Sequence, residues 1–365
     1  MFIKLSTKEL KKTLYNLLLT TSKDKSSILN SIFIEINKNK LFLSSTNLIT
    51  KYQTEIKLIE SNTEQLTLCL NAEKLHSIIQ QIAEEYTQLQ ITDRTINIIS
   101  SDFKAQLKKE DETLYPKPTI EEEREIAKIK SETLKKLISS VAFSSGKNSI
   151  NQEYNGIFFK LTKDGIVAAA TNGYRLGEVK KVKLDNEEEI EEAQFLVDID
   201  GALLLQRLLK DEKVIISVTD KNTYFDFNNE KVQIRLTQAT FPDYSSIMPE
   251  VREDILIKTR ELENAIRAVI VIDPKGFINI SSNNKEKLKF ISNNEEGEVA
   301  EYVLNKVKIN NNIQFTLNGK YILDFLKLVQ SEYIIITLNN KTSPILLSST
   351  EEPYYYKYIV VPIND

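Results

Sequence analysis

The stretch Thr171-Asn172-Gly173-Tyr174-Arg175-Leu176 decides how the chain is read. It follows Gly165-Ile166-Val167-Ala168-Ala169-Ala170, a short apolar run after an Asp164-Gly165 turn, which predicts a buried strand. Gly173 stands where that strand must turn, and Asn172 also tolerates a left-handed backbone. A hydroxyl, an aromatic ring, a cation and a leucine are thus presented together at a strand end. Three stretches accompany it: Tyr154-Asn155-Gly156-Ile157-Phe158-Phe159 before, Phe241-Pro242-Asp243-Tyr244 after, and Tyr358-Ile359-Val360-Val361-Pro362-Ile363 near the end.

A chain of 365 residues is too long for one ordinary domain and predicts two or three. It is 41% hydrophobic and 27% charged, which gives ample material for cores. No apolar run reaches the length of a membrane span, and Met1-Phe2-Ile3-Lys4 does not open a signal peptide, so a cytoplasmic protein without membrane contact is expected. Cys69 is the only cysteine and His76 the only histidine, which excludes an intrachain disulfide and the usual zinc sites. No Gly-x-Ser-x-Gly turn and no glycine-rich phosphate loop is present. The expectation is a binding or scaffolding protein with no cofactor, no metal and no catalytic residue. A metal-dependent nucleic-acid enzyme stays open as an alternative.

Two markers recur through the chain at nearly equal intervals. Leu10 in Lys8-Glu9-Leu10-Lys11-Lys12 is matched by Leu134 in Glu132-Thr133-Leu134-Lys135-Lys136 and by Leu262 in Arg260-Glu261-Leu262. Leu70-Asn71-Ala72 is matched by Val197-Asp198-Ile199 and Leu317-Asn318-Gly319. The fold class is therefore α+β, with three copies of a two-helix, multi-strand module. Leu10, Leu14, Leu17 and Leu18 form one helical stripe, and Leu134, Leu137, Ile138 and Val141 another. Leu75, Ile78, Ile79 and Ile82, and Ile322, Phe325, Leu326 and Val329, do the same for second helices. Expected strands include 88–92 and 357–361, and Asn339-Asn340-Lys341 is one expected hairpin turn. The divisions are 1–118, an acidic, proline-interrupted connector at 119–125, 126–250 and 251–365. The acidic run Glu187-Glu188-Glu189 reads as a solvated loop.

The net charge is −4, yet the expected helix faces repeat cations. Lys8, Lys11 and Lys12 fall in the first copy, Lys135, Lys136 and Arg207 in the second, and Arg267 and Lys327 in the third. Dispersed cations of this kind contact phosphates without reading bases.

In order and separation, the four quoted stretches resemble the beta subunit of bacterial DNA polymerase III, the sliding clamp. The resemblance covers the whole chain. It implies a homodimeric ring whose helices line a hole threaded by double-stranded DNA, without sequence specificity. It adds Lys23 and Lys25 to the DNA-facing cations. Ile270 and Val271 resemble the family's apolar dimer contact, with Ile78 and Phe103 as partners. The implied partners are the polymerase III catalytic subunit, the clamp loader, and other polymerases and repair proteins, all held by short peptides. The implied pocket is Tyr154, Thr171, Gly173, Tyr174, Arg175, Leu176, Pro242, Ile247, Asn318, Tyr321, Ser343, Val360, Val361, Pro362 and Ile363. The family often has Asp and His at Asn172 and Tyr174, and a cation at Ser246. Asn364-Asp365 departs as well, which leaves partner preference open. A clamp-fold scaffold that does not encircle DNA is the other alternative.

Overall fold

The structure, a computed structural model, describes residues 1–24, 26–116, 121–182, 189–210, 213–247, 249, 253–284, 286–340, 342–351 and 353–363. Lys25, part of the connector, Glu187-Glu188, Lys341 and Asn364-Asp365 lie outside the described residues.

Six helices are described: α1 (Thr7–Leu18), α2 (Ala72–Gln80), α3 (Ser131–Val141), α4 (Ile199–Leu208), α5 (Thr259–Ile270) and α6 (Gly319–Leu326). Each begins directly after a strand. The recurring Asn of the sequence markers explains two of these starts. Asn71 accepts the Lys74 amide at 3.0 Å and Asn318 that of Lys320 at 2.9 Å, satisfying amides that the first helical turn leaves open. The apolar stripes are buried as read, except that Leu18 and Ile78 are only half-buried. Strand boundaries moved: 88–92 is observed as Tyr86–Ile91, and the final strand is Tyr354–Val360 rather than 357–361. The longer final strand follows from its hairpin with Ile345–Glu351, which pairs from Glu351↔Tyr354 to Ile345↔Val360.

The chain forms two compact units, one of Met1–Glu132 with Asp200–Leu236, the other of Thr133–Ile199 with Thr237–Asp365. Unit 1 holds a five-stranded sheet in the order Glu60–Ser61, Phe2–Ser6, Tyr86–Ile91, Thr95–Ile99, Lys104–Lys108. It also holds eight antiparallel strands in the order Arg124–Lys130, Lys213–Val218, Asn222–Phe227, Glu230–Arg235, Thr50–Lys57, Lys40–Thr46, Ser31–Asn37, Gln65–Asn71. The central pairing, Val232↔Tyr52 and Ile234↔Thr50, joins distant parts of the chain. A buried polar group marks this seam: Tyr52 Oη donates to Glu230 at 2.7 Å, and Lys210 pairs with the same carboxylate.

Unit 2 contains an eight-stranded sheet with the same strand order. It runs Glu253–Lys258, Tyr333–Leu338, Ile345–Glu351, Tyr354–Val360, Arg175–Lys181, Gly165–Thr171, Gly156–Thr162, Ala193–Asp198. A separate sheet orders Val299–Asn305, Lys287–Asn293, Phe277–Asn284 and Ile313–Asn318. The element order from strand to helix, strands, helix and strands occurs three times along the chain. Compactness, by contrast, follows the two large sheets.

Candidate functional site

The Thr171–Leu176 turn lies at the middle of the unit 2 sheet, at the end of Gly165–Thr171 and the start of Arg175–Lys181. Side chains set its shape. Thr171 Oγ1 donates to the Arg175 carbonyl at 2.7 Å and accepts from Gly173 N at 3.1 Å. Asn172 Oδ1 accepts the amides of Tyr174 and Arg175 at 3.0 and 3.1 Å. Gly173 takes φ +88°, and a Cβ there would lie 3.2 Å from the Tyr154 ring. A side chain there would be strained by the backbone and would press on the Tyr154 ring. The Tyr154 ring therefore packs close against the turn, and Tyr174 is 68% exposed.

The C-terminal strand completes the turn. Arg175 pairs with Val360 and Leu176 with Ile359, and Val361 N donates to the Tyr174 carbonyl at 3.0 Å. Ile363 N donates to Thr316 O at 2.8 Å, so the tail is held in place after its strand has ended. Val360 is fully buried, Pro362 is buried, and Val361 is 37% exposed. Val360 thus closes the last strand, and the chain beyond it bonds the turn through the Val361 amide.

Arg175 points back toward α6. Its guanidinium lies 4.4 Å from the Tyr321 ring centroid and 5.3 Å from that of Phe143. Nη1 pairs with Asp324 Oδ2 at 2.9 Å, and Nη2 donates to the Phe143 carbonyl. Tyr321 and Asp324 share one side of the helix because they are three residues apart. Burial works to raise the Asp324 pKa, but hydrogen bonds from Lys327 and Arg175 outweigh it and hold the carboxyl below its ordinary value. Tyr358 stacks on Phe325 at 5.1 Å, and burial pushes its phenol upward. Phe143, Asp324 and Tyr358 were not among the expected pocket residues. Asp324 carried a sequence signal in its helical spacing from Tyr321, and Tyr358 opens the quoted C-terminal stretch; Phe143 carried none.

The remaining expected pocket residues are placed as follows. Phe241, beside Pro242, stacks on Phe158 at 4.9 Å, and Tyr244 Oη donates to Glu178 at 2.5 Å, which ties this segment to the turn's own strand. Ile247 ends a short turn and is 40% exposed. Ser343 N is held by Asn340 at 2.8 Å, two residues before Ile345, the partner of Val360. Asn318 is occupied in capping α6, one turn before Tyr321. The structure thus ties together Tyr154, Thr171, Gly173, Tyr174, Arg175, Leu176, Tyr321, Val360 and Val361. It places Pro242, Ser343, Pro362 and Ile363 on segments bound to them.

The expected DNA-facing cations divide into two kinds. Lys8, Lys12, Lys23 and Arg207 of unit 1 are exposed. Lys11 Nζ instead donates to the Ile82 carbonyl at 2.6 Å. In unit 2, Lys135 is half-buried and Lys136 lies over the Tyr356 ring at 5.6 Å. Arg267 is paired with Glu263 at 2.7 Å and Lys327 with Asp324 at 3.0 Å, though both cations remain more than half exposed. Of the expected dimer residues, Val271 is 77% exposed, while Ile78, Phe103 and Ile270 are half-buried. His76 hydrogen-bonds Gln80 within α2 at 3.1 Å. Among the described residues no group of three His, Cys, Asp or Glu is placed to hold a metal ion. No helix among them is long and apolar enough to cross a membrane.

Comparison with known proteins agrees with this geometry. Residues 128–243 match the central domain of the DNA polymerase III beta subunit, and residues 245–364 match its C-terminal domain. A beta sliding clamp of Buchnera aphidicola is 27% identical over 342 residues, covering 89% of this chain and 89% of that one. The beta sliding clamp of Bacillus subtilis is 24% identical over 309 residues, covering 82% and 80%. The crystal structure of the DNA polymerase III subunit beta from Pseudomonas aeruginosa has a TM-score of 0.92 at 20% identity and covers 100% of both chains. The two family domains lie end to end over well over half of the sequence, and the relatives extend the match through most of the remainder. The chain belongs to the DNA polymerase III beta subunit family.

Proposed function

We propose that this chain is a sliding clamp, a non-catalytic processivity factor. Two copies close around double-stranded DNA and tether a replicative polymerase, the clamp loader and repair proteins through short peptides. The observation that carries this reading is the match of two successive beta-subunit domains over residues 128–243 and 245–364. The division into modules at 1–118, 126–250 and 251–365 belongs to the same reading, supported by the threefold element order. So does action in the cytoplasm, where replication proteins work.

The partner peptide lies against the Thr171–Leu176 turn, the C-terminal residues Val360–Ile363 and Tyr321. Apolar anchors such as Leu or Phe pack against this surface, and the few polar groups fix their orientation. Lys8, Lys12, Lys23, Arg207, Arg267 and Lys327 supply weak phosphate contacts, which suit a ring that must slide. Lys11, Lys135 and Lys136 contribute less because their side chains are partly withdrawn from solvent.

Dimer closure has structural support in two unpaired sheet edges. Lys104–Lys108 is the outer strand of its sheet in unit 1, and Val299–Asn305 is the outer strand of its sheet in unit 2. Lys104 and Lys108 are exposed on the first; Val299, Glu301 and Val303 are exposed on the second. An edge of one copy offered to the complementary edge of the other satisfies both rows of backbone groups. Ile78 and Phe103 then face Ile270 and Val271 across the same contact.

The test is charge reversal. Lys8→Glu, Lys12→Glu and Arg207→Glu together should weaken DNA retention and lower its salt slope by about one unit per lost phosphate contact, with the dimer mass unchanged by light scattering. Unchanged retention would place these residues away from DNA.

A further inference from the structure

The carboxylate of Asp324 serves two cations at once. Oδ2 takes Arg175 Nη1 at 2.9 Å, and Oδ1 takes Lys327 Nζ at 3.0 Å. The two cations differ in their surroundings. The Lys327 side chain is 59% exposed and water screens its charge, whereas that of Arg175 is 12% exposed and lies between two aromatic rings. Arg175 Nε is also buried without a hydrogen-bond partner. A guanidinium in such a place needs a counter-charge, and Asp324 is the carboxylate that reaches it.

We infer that Asp324 determines the specificity of the partner pocket by fixing and neutralising Arg175; this rests on the pocket reading above. With the ion pair intact, the floor of the pocket presents a charge-balanced, ring-stacked guanidinium beside Leu176 and Val360. That surface receives an uncharged Leu or Phe side chain without stranding a charge. With Asp324 neutralised, the same guanidinium stays 12% exposed and loses its counter-charge, and it seeks a carboxylate from the ligand. Asp324 touches no peptide group in this account. It acts through Arg175 and is a positioning residue.

The test compares two fluorescent peptides on the full chain, one with uncharged Leu/Phe anchors and one with a Glu added beside them. Asp324→Asn should weaken the uncharged peptide about tenfold and shift the preference toward the acidic peptide by at least as much. Asp324→Glu should restore part of the original preference. Lys320→Gln, at an exposed cation of the same helix whose ammonium bonds the Pro274 carbonyl and not Asp324, should leave the ratio of the two affinities unchanged. Equal weakening of both peptides by Asp324→Asn would reduce the residue to a structural role and overturn the inference. A shift in Lys320→Gln equal and opposite to that of Asp324→Asn would reveal a general charge effect and overturn it too. Removal of residues 361–365 separates the levels. If the uncharged peptide still binds the truncated chain at full affinity, the pocket reading itself fails.

Discussion

The chain makes the same turn twice. Thr46-Asn47-Leu48-Ile49-Thr50-Lys51 in unit 1 repeats Thr171-Asn172-Gly173-Tyr174-Arg175-Leu176 in unit 2, bond for bond. Thr46 Oγ1 donates to the Thr50 carbonyl at 3.0 Å, as Thr171 does to that of Arg175 at 2.7 Å. Asn47 accepts the amides of Ile49 and Thr50 at 3.0 and 2.7 Å, as Asn172 accepts those of Tyr174 and Arg175. Leu48 takes φ +75° where Gly173 takes +88°. Arg235 N even donates to the Ile49 carbonyl at 2.8 Å, the counterpart of the Val361–Tyr174 bond at 3.0 Å.

The side chains reverse the outcome. Where Gly173 lies against the Tyr154 ring, Leu48 is 59% exposed. Where Arg175 stacks on Tyr321, Thr50 is buried, and a Cβ on Gly201 would come within 2.9 Å of its Oγ1. Helix and strand meet directly there, leaving no socket between them. Where Leu176 is buried, Lys51 is buried too, and desolvation lowers its pKa to about 8. In the proposed reading, one frame carries the peptide site in one unit and a plain structural joint in the other. Thr and Asn fix the backbone in both; the glycine, the arginine and the leucine set the second turn apart.

Three experiments probe that contrast, in descending order of effect. Removing residues 361–365 strips the second turn of its Val361 bond while leaving the Arg235 bond of the first. Peptide binding should disappear, because loss of two or three apolar contacts amounts to about 2–5 kcal/mol, with little change in thermal midpoint. Peptide titration by anisotropy and a thermal melt on the same sample decide this; persistent binding would remove the C-terminus from the site.

Next, Lys51→Leu gives the first turn the residue of the second. Relief of a buried charge should stabilise the protein by about 1–3 kcal/mol at pH 7. The pH dependence has a definite sign. Below about pH 8 folded and unfolded chains both hold the proton, so the penalty is fully present. Between about 8 and 10.5 the unfolded chain binds more of it, and wild-type stability rises with pH. Denaturant melts should show this rise in the wild type and lose this contribution in the variant. Smallest of all, Leu48→Gly relieves a left-handed leucine and should raise stability by up to about 1 kcal/mol. A loss on this substitution would mean that Leu48 packs against something.

Much of the fold was legible because its signals are local. The Asn71 and Asn318 caps and the apolar stripes lie within a few consecutive residues, and helix formation depends on them directly. The pairing of Thr50–Lys57 with Glu230–Arg235 has no such signal, since only the completed sheet brings those strands together. The site shows the same limit. Gly173, Tyr174 and Arg175 stood out as a motif, whereas the ion pair of Arg175 with Asp324 spans 149 residues of sequence and depends on where α6 is set. Lys11 looked like a surface cation until the fold put the Ile82 carbonyl within its reach. Even the first copy of the turn went unrecognised, because Leu48-Ile49-Thr50-Lys51 keeps the backbone bonds and none of the side-chain chemistry.

The encircling clamp is tested most directly by topology. The protein is loaded onto nicked circular DNA with a clamp loader, and retention is measured by gel filtration before and after a single cut linearises the circle. The account predicts stable retention on the circle and rapid loss from the linear form, because a ring held by weak phosphate contacts slides off free ends. Equal retention on both forms would contradict it.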